Sequence, residues 1–365
     1  MYSFEPSDEQ KMLVDAASRL AVDHLRPAAR AADESGHLPR ALIQKGWELG
    51  ILQASVPELY GGFGERSAVT GVLAMEALSY GDLASAYAIG GPALFSIPIL
   101  LAGSEAQKET YLPKAVAADW QPFTCALLEY SFDFDPHALR TTATCQQDAI
   151  VLNGEKACVP FANEAPALVV FANLDGQTQG IIIPAGTPGV HVSPEPEKLM
   201  GLRALSLYRV RLEAVTVQAE NRLGGRQGHD FRPILASMQI GQAAAAIGVA
   251  RAAFEYARDY ARGREAFGVK IAQKQAVAFM LAEMCTEIEA IRLLTWQAAW
   301  KLDAGKSDAC EDAYLAATGA ADMVMMVTDR AVQVLGGHGY IREHPVEMWL
   351  RNGRGFASLT GLAIV

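Results

Sequence analysis

The chain has 365 residues, of which 51% are hydrophobic and 20% are charged, so it is long enough to bury a large core and to form two or three domains. Its net charge is −10 and no segment is rich in Lys or Arg, which argues against a nucleic-acid-binding surface. The five cysteines are scattered and none belongs to a C-x-x-C pair, so neither a disulfide framework nor a zinc site is indicated.

Residues 1–118 are predicted to form a helical domain. The first ten residues lack the basic-then-apolar pattern of a signal peptide, and no run of 18 apolar residues occurs, so we expect a cytoplasmic protein without a membrane span. Ser7 is suited to cap a first helix that Pro27 interrupts. Further helices are expected near residues 39–49, 67–80, 84–103 and 104–118, with a glycine-rich loop at residues 60–64.

Residues 119–227 have a sequence pattern typical of a β domain. Short runs of Val, Ile and Leu are separated by turn residues, and Val210–Val217 alternates apolar with polar side chains. Asn153-Gly154 follows one of these runs, and this dipeptide predicts a hairpin turn. We therefore expect a small barrel or sandwich in the middle of the chain.

Long helical patterns return in residues 228–365. Four long amphipathic stretches are expected, and together they favour an antiparallel helical bundle. The stretches are Ile234–Arg262, Ile271–Gly305, Asp308–Leu335 and a segment that starts near Pro345. No G-x-G-x-x-G follows a strand and no P-loop motif occurs, so the nucleotide-binding folds that depend on them are excluded.

Several ordered motifs resemble those of the acyl-CoA dehydrogenase family, and the similarity extends over the whole chain. The motifs are Gly61-Gly62-Phe63-Gly64, Leu152-Asn153-Gly154-Glu155-Lys156, Met200-Gly201-Leu202-Arg203, Arg264-Glu265-Ala266-Phe267-Gly268, Gln333-Val334-Leu335-Gly336-Gly337-His338-Gly339-Tyr340 and Pro345-Val346-Glu347 with Arg351. The resemblance implies an α+β fold with an N-terminal helical domain, a middle β-barrel or sandwich domain and a C-terminal four-helix bundle. It also implies FAD as cofactor and the α,β-dehydrogenation of an acyl-CoA, with electrons passed to an external acceptor such as an electron-transfer flavoprotein.

One set of family positions is kept. In the resembled family these positions bind the ADP half of an FAD that is held mainly by the neighbouring subunit. The corresponding residues here are Arg264, Phe267, Lys274, Gln275, Gln333, Val334, Gly336 and Gly337. Their chemistry suits a dinucleotide, because an Arg offers a planar fork to a pyrophosphate and adjacent glycines allow close approach to the backbone. Taken one at a time, the same residues are equally typical of core packing, a helix C-cap and a surface ion pair.

The positions that serve the chain's own flavin have diverged. The family's T-E-P-x-x-G-S-D segment aligns with residues 128–135, where Leu128 and Phe134 replace its Thr and Ser. The family's W-I-T segment aligns with Cys158-Val159-Pro160, so its aromatic wall and hydroxyl are missing. Pro160 also lacks a backbone N–H. We expect the bulky residues Tyr130, Phe132 and Phe134 to fill the vacated cavity.

The family's catalytic base is missing as well. In these enzymes a Glu abstracts the α-proton of the acyl thioester. Thr360 stands where that Glu is expected, and Leu362 where a phosphate-binding Thr is expected. In members that place the Glu on the first bundle helix, the corresponding residues are Met238 and Gln239. None of these side chains acts unaided as a general base near neutral pH, so no catalytic residue and no metal ligand is assigned to this chain.

This one-sided loss predicts a heteromeric assembly. A homologous sister subunit would supply the flavin-ring contacts, the Glu and most of the acyl-CoA site, while this chain would supply the ADP-side wall of a shared FAD site. The pattern resembles the non-catalytic subunit of the heterotetrameric (α2β2) acyl-CoA dehydrogenases of bacterial steroid side-chain degradation. Two alternatives remain open: a self-sufficient atypical flavoenzyme of the same family, and a flavin-free scaffold protein.

Overall fold

The computed structural model describes residues 5–365, so the first four residues of the segment without a signal-peptide pattern lie outside it. Helix α1 (Asp8–Leu20) begins with a capping box, in which the Ser7 hydroxyl accepts from the Gln10 N–H and the Gln10 side chain accepts from the Ser7 N–H. The chain then continues through a π-helical turn at residues 21–25 into α2 (Arg26–Ser35). The predicted interruption at Pro27 is therefore wrong, because the helical backbone continues from the π-helical turn through Pro27 into α2.

Five more helices complete the N-terminal part of the described chain. They are α3 (Arg40–Trp47), α4 (Ala68–Gly81), α5 (Leu83–Gly90), α6 (Ala93–Ala102) and α7 (Glu105–Ala115). The single helix expected near residues 84–103 is two helices, because Gly91-Pro92 separates α5 from α6. Helices α4, α5 and α6 are buried along most of their length and form the centre of this layer.

The middle part contains one sheet of seven strands among the described residues. The strands are β1 (Thr124–Ala126), β2 (Thr142–Gln146), β3 (Ala149–Pro160), β4 (Ala167–Leu174), β5 (Gln177–Pro184), β6 (Val190–Val192) and β7 (Leu207–Gln218). The hydrogen-bonded order is β1-β4-β2-β3-β7-β6, with β5 pairing with the free edge of β4. One face buries its own apolar cluster, and the other packs on the main core that it shares with the helices.

Asn153-Gly154 is not a hairpin turn, contrary to the sequence prediction. Strand β3 runs straight through it, and the register with β7 shifts between Leu152 and Gly154, which marks a β-bulge. The Asn153 side-chain oxygen accepts the N–H of Ala214 on β7 at 2.8 Å and so stabilises the bulge. The turn between β2 and β3 lies earlier, where Gln147 adopts a positive φ of 55°.

The C-terminal part is a bundle of three long helices with a short fourth helix, so the fourth helix is shorter than the sequence predicted. It contains α8 (Arg232–Gly263), a two-stranded hairpin of β8 (Glu265–Ala266) and β9 (Val269–Lys270), α9 (Gln275–Asp303), α10 (Ala309–Leu335) and α11 (Val346–Gly353). Within the described chain, α8 is the one unbroken helix long and apolar enough to cross a membrane, and the bent pair α5 and α6 passes the same test together. However, 89% of the most apolar window of α8 is buried by protein, which is typical of the central helix of a bundle.

Buried ion pairs connect the parts. Glu76 on α4 accepts from Arg251 on α8 at 2.6 Å and from Arg292 on α9 at 3.1 Å. Arg351 on α11 binds Asp33 on α2 in a two-pronged contact at 2.9 and 2.6 Å. The kept family residue Arg351 therefore stabilises the packing of the N-terminal helices on the bundle in this structure. The overall α+β organisation predicted from the sequence is confirmed.

Close packing of α4 on α8 depends on a glycine. A methyl group at Gly248 would lie 2.5 Å from the carbonyl oxygen of Glu76 and 2.8 Å from Cβ of Ser79. We expect Gly248→Ala to lower the free energy of unfolding by about 1–3 kcal/mol, because the two helices must separate to admit the methyl group. Urea denaturation measures this change.

Gly263, near the end of the same helix, provides the matched control. A Cβ added there would meet no atom within 4 Å. Gly263→Ala should leave stability unchanged or raise it slightly, since alanine favours the helix. Equal changes in the free energy of unfolding for the two substitutions would show that α4 and α8 are not closely packed at Gly248.

Candidate functional site

A cavity of about 920 Å³ lies where the middle sheet faces the bundle. Its walls come from the loop after β1, from the end of β3, from one side of α8 and α10, and from the segment after α11. The lining residues include Leu128, Glu129, Phe132, Phe134, Asp135, His137, Cys158, Gln239, Tyr314, Thr318, Ala321, Asp322, Ser358 and Thr360. Because the wall segments are far apart in sequence, only the tertiary fold creates this space.

The loop aromatics do not fill the cavity, which corrects the sequence expectation. Phe134 packs partly against the main core. Phe132 is fully exposed, and the Tyr130 hydroxyl turns to the carboxylate of Glu197 while its ring stacks under Arg209. Phe134 alone therefore contributes packing, and the cavity remains open.

The cavity wall is held by a buried ion pair. The Lys156 ammonium lies 2.7 Å from Glu129 and 3.0 Å from the Leu127 carbonyl oxygen. The Glu129 carboxylate also accepts the backbone N–H groups of Arg140 and Thr141 at 2.7 and 2.9 Å. Burial lowers the pKa of Lys156 to about 8 despite the adjacent carboxylate. Burial raises the pKa of Glu129, but the Lys156 charge and the hydrogen bonds outweigh it and hold that pKa below its usual value.

This ion pair removes Glu129 from the candidates for a general base. Its oxygens already accept three hydrogen bonds, one from the Lys156 ammonium and two from backbone N–H groups, and its position is fixed by the turn that it organises. The sequence assigned Glu129 a turn or capping role, and the structure adds the buried lysine. The sequence signal for this pair was Lys156, which stands at an inward-facing position of strand β3. A buried lysine requires a buried carboxylate partner, and that partner is Glu129.

The expected base positions carry no carboxylate. Thr360 is half-buried on the cavity wall, while Met238 is fully buried and does not reach the cavity. Its neighbour Gln239 does line the cavity. Apart from Glu129, the carboxylates on the wall within the described chain are the exposed Asp135, which accepts the His137 N–H at 2.8 Å, and the exposed Asp322 on α10.

The cavity offers a poor match to FAD from this chain's own residues. No Lys or Arg lines it within the described chain, whereas a dinucleotide brings a pyrophosphate that needs cationic or N–H partners. Leu128 and Cys158 face it without a hydroxyl, and burial raises the pKa of the Cys158 thiol to about 11, so the thiol is neutral. Pro160 and Leu362 lie outside the lining, and Leu362 is buried in the core.

A second candidate surface lies at the far end of the bundle, and we call it the platform. The Tyr260 hydroxyl near the end of α8 bonds Nδ1 of His338 at 2.7 Å, which places the last turn of α8 beside the loop after α10. Arg330 on α10 pairs with Glu283 on α9 at 2.5 Å. The start of α9 and the end of α10 therefore lie at the same end of the bundle. The platform comprises Arg264, Phe267, Lys274, Gln275, Gln333, Gly336 and Gly337, all of them exposed.

The platform chemistry does suit the ADP half of a dinucleotide. Arg264 and Lys274 are exposed cations, and a Cβ built at Gly336 or Gly337 meets no atom within 4 Å, so a ligand can approach the backbone there. Of the eight predicted cofactor-binding residues, Val334 differs, because its side chain packs in the core. Only the backbone of Val334 is therefore available for the predicted contact with the cofactor.

Phe267 is held in an unusual position. It occupies the two-residue turn between β8 and β9 with φ of 55°, followed by Gly268 with φ of 77°, and its ring is 94% exposed. Two positive φ values in a two-residue hairpin are typical of a type I′ turn, which favours Asn-Gly. An apolar ring kept in a strained, solvent-facing position is characteristic of a site that a ligand or partner covers.

Replacing Phe267 by asparagine should stabilise the isolated chain. Asparagine tolerates the left-handed region that costs other residues about 1–2 kcal/mol, so we expect the free energy of unfolding to rise by about 0.5–1 kcal/mol. Urea denaturation of the purified chain provides the measurement. Ala266→Asn, one residue earlier at an ordinary φ, is the control and should give no gain. A loss of stability in Phe267→Asn would mean that the phenyl ring packs in the free chain.

Sequence reasoning predicted the platform and much of the cavity wall, including Leu128, Gln239 and Thr360, but missed the part of the wall that α10 contributes. Five of the seven platform residues belong to two short motifs that are contiguous in sequence, and Lys274 and Gln275 follow the first motif within a few residues. The wall residues Tyr314, Thr318 and Asp322 lie one turn apart on a single face of α10, and only that helical spacing links them in the sequence.

Family models match almost the whole chain. The descriptions are "Acyl-CoA dehydrogenase, N-terminal domain" over residues 7–119, "Acyl-CoA dehydrogenase, middle domain" over residues 126–215 and "Acyl-CoA dehydrogenase, C-terminal domain" over residues 232–362. The three matches follow one another in the order of the helical, sheet and helical parts described above.

Individual proteins show the same similarity. The chain is 34% identical over 362 residues to the mitochondrial short-chain specific acyl-CoA dehydrogenase of Sus scrofa, covering 96% of this chain and 86% of that protein. It superimposes on the butyryl-CoA dehydrogenase of Megasphaera elsdenii with a TM-score of 0.88 and 32% identity, over 98% of this chain and 95% of the other. A glutaryl-CoA dehydrogenase of Mycobacterium smegmatis in complex with FADH2 gives a TM-score of 0.85 and 25% identity, over 97% and 91% of the two chains.

Proposed function

The chain belongs to the acyl-CoA dehydrogenase family, and on that premise we propose that it is one subunit of a heteromeric, FAD-dependent acyl-CoA dehydrogenase. A homologous sister chain contributes the flavin-ring contacts and the catalytic Glu. This chain contributes the platform, which covers the ADP half of the sister chain's FAD. The reaction of the assembly is the α,β-dehydrogenation of an acyl-CoA.

The observation that carries the proposal is the contrast between the two surfaces. The platform keeps two exposed cations, open glycines and an exposed phenyl ring. The chain's own cavity has neither a lining cation nor a free buried carboxylate within the described residues. The relatives described above are named as dehydrogenases. The proposal that this chain is not itself catalytic therefore depends on the flavin-contacting residues and the catalytic Glu that its sequence lacks. A protein that had lost function at random would be expected to lose both surfaces.

The remaining parts of the proposal follow from the resemblance. Electrons leave the assembly to an external acceptor such as an electron-transfer flavoprotein, and the assembly is an α2β2 heterotetramer. Its location in the cytoplasm is proposed separately, from the scattered cysteines, which fit a reducing compartment. A steroid side-chain thioester is the substrate by analogy with the heterotetrameric enzymes alone. The acyl group is recognised mainly in the sister chain.

Flavin content tests the proposal directly. The chain is purified alone and after co-expression with the acyl-CoA dehydrogenase homologue encoded beside it, and FAD is quantified by absorbance after release. We expect the chain alone to be colourless and the co-purified complex to hold one FAD per pair of chains. One FAD per chain in the protein alone would overturn the proposal in favour of a self-sufficient enzyme. A stable complex without any FAD would favour a scaffold.

A further inference from the structure

We propose that the cavity of this chain binds an uncharged, mainly apolar small molecule in place of a nucleotide. The inference rests on the proposed function in one respect, namely that the chain does not hold its own FAD. A volume of about 920 Å³ is far above that of a packing defect, since protein interiors contain few voids larger than a water molecule. It falls in the range of about 300–1,000 Å³ that is typical of small-molecule sites.

The charges on the cavity wall select against anions. No Lys or Arg lines the cavity within the described chain, and Asp135 and Asp322 are exposed on its wall. The buried Lys156, which does not itself line the cavity, is already neutralised by Glu129 at 2.7 Å. An anionic ligand would therefore lose its hydration without gaining a counter-charge, whereas a neutral ligand has no such loss.

The same wall provides apolar surface with a few polar groups. Leu128, Phe134 and Phe356 supply apolar and aromatic contacts. Within the described residues, the side chains of Gln239, Ser358 and Thr360 line the cavity and make no hydrogen bond inside the chain. They are available to bond hydroxyl or carbonyl oxygens of a ligand. This combination, a largely apolar cavity wall with a small number of polar groups, fits a neutral compound with one or a few oxygen atoms.

Two dyes with the same ring skeleton test the inference on the full-length chain. N-phenylnaphthylamine is neutral, and anilinonaphthalene sulfonate differs from it by a sulfonate; both become fluorescent in apolar surroundings. We work at about pH 8 so that histidine charge is minimal. We expect the neutral dye to bind at least about tenfold more tightly than the sulfonate. FAD added in excess should not displace it.

Two variants locate the binding. Ala321→Trp, on the α10 wall, should abolish binding of the neutral dye by filling the cavity, whereas Ala106→Trp, at an exposed position on α7, should not. Asp322→Asn removes a wall charge at an exposed position, so it should tighten sulfonate binding and leave the neutral dye unaffected. This second variant keeps the inference testable if the tryptophan variant fails to fold, which circular dichroism detects.

The outcomes separate the inference from the proposed function. Equal affinity for the two dyes, or unchanged binding of the neutral dye to a folded Ala321→Trp chain, would overturn the inference. If the purified chain binds neither flavin nor the neutral dye, the inference is overturned and the proposed function is not. Stoichiometric FAD in the chain alone, displacing the dye, would overturn both.

Discussion

Replacement of Lys156 by alanine should lower the free energy of unfolding by about 3–5 kcal/mol, because it leaves the buried Glu129 carboxylate without its counter-charge. The Lys156 side chain is completely buried and that of Glu129 is 5% exposed, so water cannot replace the lost ammonium. The two remaining N–H donors, from Arg140 and Thr141, do not neutralise the carboxylate. Urea denaturation of the purified chain measures the loss.

Two controls separate the ion pair from a general effect of losing a lysine. Lys198→Ala, at an exposed position in the same part of the chain, should change stability by no more than about 0.5 kcal/mol. The double variant Lys156→Met with Glu129→Gln should recover much of the loss, since it removes both buried charges together. A single variant that costs less than about 1 kcal/mol would contradict the role given to this pair.

Replacement of Arg264 by alanine should weaken FAD binding in the co-purified complex by about 30-fold to 1,000-fold, which corresponds to about 2–4 kcal/mol. The physical reason is the loss of a planar, always charged donor from the platform, which in the proposed function covers the ADP half of the cofactor. FAD retained after dialysis, and its rebinding by titration, provide the measurement. The proposed function predicts that the affected flavin belongs to the sister chain.

Arg262 offers a matched control. It is also an exposed arginine, two residues earlier at the end of α8, and no motif assigns it to the platform. Arg262→Ala should leave FAD retention unchanged, and Arg264→Lys should have an intermediate effect because it keeps the charge and loses the fork. Wild-type retention of FAD in Arg264→Ala would mean that the platform does not contact the cofactor.

Local sequence signals predicted the elements well wherever local interactions decide them. The capping residues Ser7 and Gln10 mark the start of α1, as expected. Two strong local signals were overridden, one by strand pairing and the other by the geometry of the adjacent helical turn. Asn153-Gly154 lies inside β3 because pairing with β7 extends past it, and Pro27 fits into a helix because a π-turn precedes it.

The two candidate surfaces differ in how far the sequence predicts them. The platform was predicted because Arg264 and Gly336 belong to short motifs whose residues stay together in any fold of this family. The open cavity was not, since the expectation that aromatic residues fill it required the direction of Phe132, and only the tertiary structure gives that direction. The Lys156–Glu129 pair likewise joins residues 27 positions apart.

Helix α8 connects the cavity to the platform as one uninterrupted rod. Gln239, on the cavity wall, and Arg264, just after the last helical turn, are separated by roughly 38 Å at the usual rise per residue. An axial shift of one end is therefore passed to the other with little loss, because a buried helix bends far less readily than a loop. By thermodynamic linkage, any factor by which a molecule in the cavity changes the affinity of the platform for cofactor must equal the factor by which cofactor changes the affinity of the cavity. In the proposed assembly, the central helix would therefore be a mechanical route by which occupancy of the cavity changes the affinity of the platform for cofactor.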